Sequence, residues 1–298
     1  MCWPGITLAS HADGFWLKLA NNGVGQMFIS ALPERRVIAG VTIELLVKGE
    51  GQPLLFLHAG HGFNVDDPLV EALSKHYKVI APSHPGFGAS ELPRHITSTD
   101  DLVYFYLDLL EELDLKDLLV VGVSFGGWLA AELATRGTGR IAKLVLIDAV
   151  GVKFSGRETR DILDIFSKPL EDIPSLFFHD QDKATQILAG LDFKNMSIET
   201  ATRFARNRES LLLFGWSPTL YNPKLLGRLH RVHVPVLVLW GADDLVTPPS
   251  YGKKYAEAFE HGVFAQVADA GHYGYLEQPE EFAKKVTAFL AAKTLIAA

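Results

Sequence analysis

Cysteine is almost missing from this chain: Cys2 is the only one, so no internal disulfide can form, and a reducing compartment suits such a sequence. Long apolar runs are missing too. No stretch reaches the roughly 18 residues a membrane-crossing helix needs, and no basic segment leads into an apolar core and cleavage site near the start. No apolar stretch precedes Cys2, which speaks against a lipid anchor there. Charge of one sign never gathers into a block: 28 Lys and Arg against 35 Asp and Glu leave a net charge of -7, without the footprint of a nucleic-acid or anionic-membrane binder. No Gly-x-Gly-x-x-Gly follows a strand, which disfavours hydride transfer on a dinucleotide. Repeats and low-complexity tracts are also absent. These absences leave a cytoplasmic protein with a small-molecule partner, no cofactor, and an oligomeric state the sequence does not set.

What is present is enough apolar material for a large core, 48% of 298 residues. Residues 1–32 show no sustained period and read as an N-terminal extension. From Arg36 short strands follow one another: Val37-Ile38, then Val41 to Val47, the two forming a hairpin, then a fully buried run from Pro53 to Leu57. Helical spacing over Leu69 to His76 precedes a strand at Lys78 to Ala81. Thr99 or Asp100 is placed to cap a helix whose apolar face runs from Leu102 to Leu113. A β-branched and leucine run ends at Gly122-Val-Ser124-Phe-Gly126-Gly127 and turns at once into an Ala/Leu-rich helix, and Ile141 to Ile147 is the next strand.

Alternating strands and helices imply a doubly wound, mainly parallel α/β sheet covered on both faces. The alternation then stops. Residues 151–231 contain only helix-like segments, Ile162 to Phe166, Leu176 to Phe178 and Phe204 to Phe214, broken by prolines. It resumes with the strand Val234 to Trp240, a helix near Tyr251 to Phe259, a weak strand around Val263 to Ala268 and a last helix from Pro279. The expected organisation is therefore a core over 33–150 and 232–298, with a helical cap over 151–231 inserted after the sixth core strand.

A serine held at the tip of a strand-to-helix turn is a nucleophile elbow: flanking glycines let the backbone pass closely, and the helix N-terminus faces the place where a substrate oxygen would gain charge. A serine hydroxyl needs a base within reach and a third group to fix that base's tautomer. Two late strands end in candidates, Gly241-Ala-Asp243-Asp244 and Gly271-His272. With His58-Ala-Gly60-His61-Gly62, Gly86-Phe-Gly88-Ala-Ser90 and Glu277 with Pro279, the chain over residues 36 to 292 resembles the cap-bearing branch of the α/β-hydrolase superfamily.

That resemblance implies Ser124 as nucleophile, His272 as general base and later acid, and Asp244 as its orienter. It implies an oxyanion hole from the Phe125 N–H and a second N–H, at Gly60 in preference to His61. His58-Ala59 departs from the family's usual His-Gly at this point. Among rivals, Asp243 adjoins Asp244, Asp148 ends the preceding strand, where some relatives carry the acid, and His58 reads as a loop-fixing residue. His230 and His233 have a metal-like spacing but no carboxylate or cysteine partner, so no metal is expected. His61, Phe154, Phe178, Phe214 and Trp216 are the expected pocket residues. Serine at 124, where epoxide- and halide-displacing relatives carry aspartate, points to acyl chemistry, first on esters of small to medium apolar acyl groups. The alternatives are hydrolysis of a carbon–carbon bond in a vinylogous diketone, with Arg157, Arg160, Arg203 and Arg206 available for a substrate carboxylate, and a receptor-like protein with slow turnover.

Overall fold

The computed structural model describes residues 33–189 and 195–292; the expected N-terminal extension lies outside them. Eight strands form one sheet in the order β1 (Glu34–Ile38), β2 (Val41–Lys48), β4 (Lys78–Pro82), β3 (Pro53–Leu57), β5 (Leu118–Val123), β6 (Ile141–Ile147), β7 (Val236–Gly241) and β8 (Gly262–Val267). β1 pairs antiparallel with β2, and β2 antiparallel with β4. All other pairs are parallel.

The burial of β5 explains its unbroken apolar sequence. Leu118 and Val120 enter the core on one sheet face, while Leu119, Val121 and Val123 enter the core on the other, so both sides of the strand must be apolar. One face is covered by α2 (Thr99–Glu112), α3 (Phe125–Thr135) and α7 (Pro249–Glu257), the other by α1 (Pro68–Ser74) and α8 (Pro279–Ala291). β3 lies between β4 and β5, so the chain leaves β3 to one side and returns on the other. Crevices at the carboxyl ends of strands flanking such a reversal are where ligands bind in open α/β sheets.

Two expectations shift. The cap of α2 is Ser98, not Thr99 or Asp100: its hydroxyl accepts from the Asp101 N–H, and the Asp101 carboxylate accepts from the Ser98 N–H in return. Between β6 and β7 lie α4 (Ile173–Phe177), α5 (Gln181–Ile187) and α6 (Ile198–Gly215), with short 3-10 turns before α4 and after α6 and no strand among the described residues. α6 starts six residues before the expected Phe204, because Ser197 caps it and its first turns are mostly polar, Glu199, Thr200, Thr202 and Arg203.

Candidate active site

Ser124 sits at φ 50° and ψ -111°, a region that costs a non-glycine residue about 1–3 kcal/mol. Its N–H donates to the Ile147 carbonyl at 2.9 Å and its carbonyl accepts from Val150, which ties the strained turn to β6. The glycines expected around it are sterically required. A Cβ on Gly122 would strike the Gly126 carbonyl, and one on Gly126 would strike the carbonyls of Leu57 and His58 at the end of β3. Neither obstacle is a side chain able to swing aside.

Three side chains from distant parts of the chain meet here. The Ser124 Oγ lies 2.9 Å from His272 Nε2, and His272 Nδ1 lies 2.8 Å from Asp244 Oδ2. Asp244 is saturated: Oδ2 also accepts from the Thr247 hydroxyl, and Oδ1 accepts from the N–H groups of Val246 and Thr247. As an acceptor only, it makes His272 carry its proton on Nδ1, which leaves Nε2 free to accept from the serine hydroxyl. All three residues are buried.

The neighbouring carboxylates have other partners. Asp243 is exposed and turns to His179 at 3.1 Å. Asp148 uses one oxygen to accept from the Gly241 N–H at 2.7 Å, while the other is buried without a partner. Burial, with Asp244 nearby, pushes the Asp148 carboxyl well above the ordinary range, and its bond to Gly241 ties it to the end of β7. Glu277 holds the histidine loop. It accepts from Gly271 before His272 and from Asp180 after α4, and so ties that loop to the helical segment.

Phe125 is the first helical residue of α3, so its N–H has no intrahelical acceptor. Gly60 faces the same small cavity from the loop after β3. That loop rests on two buried histidines. His58 donates from Nδ1 to the Ala59 carbonyl at 2.7 Å and accepts at Nε2 from the His84 N–H. His84 donates from Nε2 to the His58 carbonyl at 2.9 Å and accepts at Nδ1 from the Tyr106 hydroxyl. His58, between a carbonyl and an N–H, is thereby fixed as the neutral Nδ1–H tautomer, and His84, with Nε2 on a carbonyl, is the neutral Nε2–H tautomer when Tyr106 donates.

Burial lowers His58 well below its ordinary 6.5 and His84 to about 3. Because these folded-state values lie below the unfolded one, both histidines contribute stability fully above pH 6.5, and the contribution falls as acid protonates the unfolded chain. Asp67, raised to about 6 by burial, acts in the opposite sense. Imidazole nitrogen NMR spectra are expected to give His58 as the Nδ1–H and His84 as the Nε2–H tautomer, with neither titrating between pH 8 and about 5. A charged ring in that range would contradict this loop geometry.

Directly over Ser124 the space is small, about 10 Å³, roughly one water. Apart from Ser124, His272 and Tyr273 its lining is apolar or glycine, including Ile165, Phe177, Leu211, Leu220 and Val246. Leu211, Phe177, Ile165, Gly60 and Tyr273 also line an outer apolar groove of about 120 Å³, together with His61 and Arg208. A larger cavity of about 290 Å³ lies among Lys153, Arg157, Arg160, Asp161 and Trp216 and shares no lining residue with the space over Ser124. Chemistry, not volume, marks the site.

Of the expected pocket residues, His61 lines the outer groove. The other four line neither space. Phe154 packs edge-on against Tyr251, Phe178 against Tyr273, and Phe214 stacks on Phe87 and Phe125 beneath the site. Trp216 is 57% exposed beside Phe166. The lining side chains are close in sequence to two of these: Phe177 precedes Phe178 and meets the His272 ring at 5.4 Å, and Leu211 lies one helical turn before Phe214. Aromatic content alone pointed to the larger rings; which face of each helix looks inward was the missing signal.

The four arginines also go elsewhere. Arg203 forks onto Glu44, Arg206 donates to the Ser90 carbonyl, and Arg157 and Arg160 border the larger cavity. His233 faces Glu260 on the surface. Among the described residues, one group has ligand atoms close enough for a cation, the exposed His179, Asp243 and Asp269, and each ring nitrogen of His179 already faces one of the two carboxylates. No helix among them is long and apolar enough to cross a membrane.

This geometry, an elbow serine with histidine and aspartate delivered by later strands, is that of a hydrolase built on an α/β sheet, and the comparisons agree. Residues 54–285 match the model of the Alpha/beta hydrolase family, and the chain belongs to that family. It is similar to BpoC of Mycobacterium tuberculosis, provisionally named a non-heme bromoperoxidase, with 29% identity over 82% of this chain and 95% of the relative. It is equally similar to the 2-hydroxy-6-oxo-2,4-heptadienoate hydrolase of Pseudomonas putida, with 29% identity over 87% of this chain and 96% of the relative. Among solved structures, a variant of the meta-cleavage product hydrolase CumD superposes with a TM-score of 0.71 at 26% identity, covering 88% of this chain and 99% of that one.

Proposed function

We propose that this protein is a serine hydrolase that cleaves carboxylic esters of small to medium apolar acyl groups through an acyl-enzyme on Ser124. His272 Nε2 takes the hydroxyl proton as Oγ attacks the carbonyl carbon, and the N–H groups of Phe125 and Gly60 hold the oxyanion. The imidazolium, steadied by Asp244, gives its proton to the departing alkoxide. Water, activated by the same imidazole, then attacks the acyl-enzyme, and collapse releases the acid and restores the Ser124 hydroxyl. Residues 151–231 act as the cap. An acyl chain reaches Ser124 from the outer groove, past Phe177 and Leu211, which requires the cap to shift because the closed space fits only about one water.

The observation that carries this reading is the unbroken hydrogen-bond path from Ser124 through His272 to Asp244 beneath an apolar space with no lysine or arginine in its lining. The second reading is hydrolysis of a carbon–carbon bond in a meta-cleavage product. The names of several relatives favour it, and Arg208 in the outer groove is the cation available to a substrate carboxylate. The same three residues would serve both reactions. Parallel assays with p-nitrophenyl acetate and butyrate and with yellow ring-fission dienoates separate them. Ester turnover with the yellow chromophore left intact is the expected result; the reverse pattern would transfer the assignment to the second reading.

A further inference from the structure

α6 carries a stripe of polar side chains at helical spacing, Arg203, Arg206, Asn207 and Ser210, and all four bond to the body of the protein. Arg203 forks onto the buried carboxylate of Glu44 in β2, Arg206 donates to the Ser90 carbonyl, and the Ser210 hydroxyl donates to the Gly86 carbonyl at 2.7 Å. Asn207 differs in what it joins. Its Nδ2 donates to the His61 carbonyl at 2.7 Å, and its Oδ1 accepts from the Gly88 N–H at 2.7 Å. One partner needs a donor and the other an acceptor, so a primary amide is the group that satisfies both ends, and its orientation is fixed.

The His61 carbonyl belongs to the turn that presents Gly60 to Ser124. That turn is closed by the Gly62 N–H on the Ala59 carbonyl at 3.0 Å, and a Cβ on Gly62 would collide with the Asn207 amide. Asn207 is itself buried. The loop therefore has a hydrogen bond from the helical segment at its outer side and the His58–His84 pair beneath it.

We infer that Asn207 is a positioning residue for the oxyanion hole, so that the Gly60 N–H is aimed at the reacting oxygen only while α6 is seated on the core. This rests on the proposed serine-hydrolase reading and adds to it a coupling between cap closure and catalytic competence. A cap that lifts to admit substrate would leave the hole loosened and the hydroxyl idle, and closure would restore both together.

The test compares Asn207→Ala and the isosteric Asn207→Asp with Arg206→Ala, which loses a bond from the same helix to a different loop. The readouts are kcat and KM for p-nitrophenyl butyrate, the thermal midpoint, and the affinity of an alkyl trifluoromethyl ketone, whose hemiketal oxyanion on Ser124 needs the hole but no turnover. Both Asn207 variants are expected to lose on the order of 10²-fold in kcat and in ketone affinity relative to Arg206→Ala, with KM little changed. If Asn207→Ala does not fold, Asn207→Asp, which keeps the acceptor for Gly88 and sets an oxygen against the His61 carbonyl, gives the same readout. Ketone affinities within roughly threefold of Arg206→Ala overturn the inference. A wild-type protein that binds the ketone but cleaves no ester removes the ester reading and leaves this comparison valid; one that does not bind the ketone removes both.

Discussion

Ser124→Ala lowers kcat for p-nitrophenyl butyrate by at least roughly 10⁴-fold, with KM and the thermal midpoint nearly unchanged. The size follows from covalent chemistry: without Oγ there is no acyl-enzyme, and only a water held over the oxyanion donors can act. The selectivity for kcat follows from structure. The Ser124 hydroxyl bonds to His272 Nε2 and borders the small space over the site, so its loss leaves β5, α3 and the surrounding glycine contacts in place. Michaelis–Menten kinetics beside a melting curve check both halves. Retained turnover in a folded variant would mean that the hydroxyl is not the nucleophile.

Asp244→Asn is the second large effect, a fall in kcat of about 10⁴-fold, whereas Asp243→Asn one residue away stays within roughly threefold of wild type. An asparagine at 244 can turn its NH₂ toward His272 Nδ1. The ring would then move its proton to Nε2 and point a donor at Ser124, where an acceptor is needed. Asp244 also binds Val246 and Thr247, which hold an asparagine in the same position, so the loss is one of tautomer more than of fold. Asp243 is exposed and faces only His179. Comparable losses in the two variants would remove Asp244 as the orienting acid.

The contrast between these aspartates marks how far the sequence could be read. Spacing from Gly241, through the family resemblance, favoured 244, but propensity cannot say which of two adjacent side chains turns inward; the Thr247 hydroxyl and two backbone donors decide it. The sheet was legible because a strand buried on both faces must be apolar throughout, and the elbow was legible because the Gly122 and Gly126 positions tolerate no Cβ. The helical segment was legible only in outline. Its mostly polar first turns hid the start of α6, and its aromatic residues drew attention to Phe178 and Phe214 where Phe177 and Leu211 face the reaction site. Asn207 gave no local signal, because its partners His61 and Gly88 lie far away in sequence and meet it only in the folded chain.

The central claim is that the Ser124 hydroxyl, activated by His272, is the group that becomes acylated. Treating the wild-type protein and His272→Ala with diethyl p-nitrophenyl phosphate, then mapping the modified peptide by mass spectrometry, tests it most directly. A single diethylphosphoryl group on Ser124 in the wild type, formed far more slowly in His272→Ala, is the predicted result. An unmodified Ser124, or a label carried by another residue at the same rate in both proteins, would contradict it.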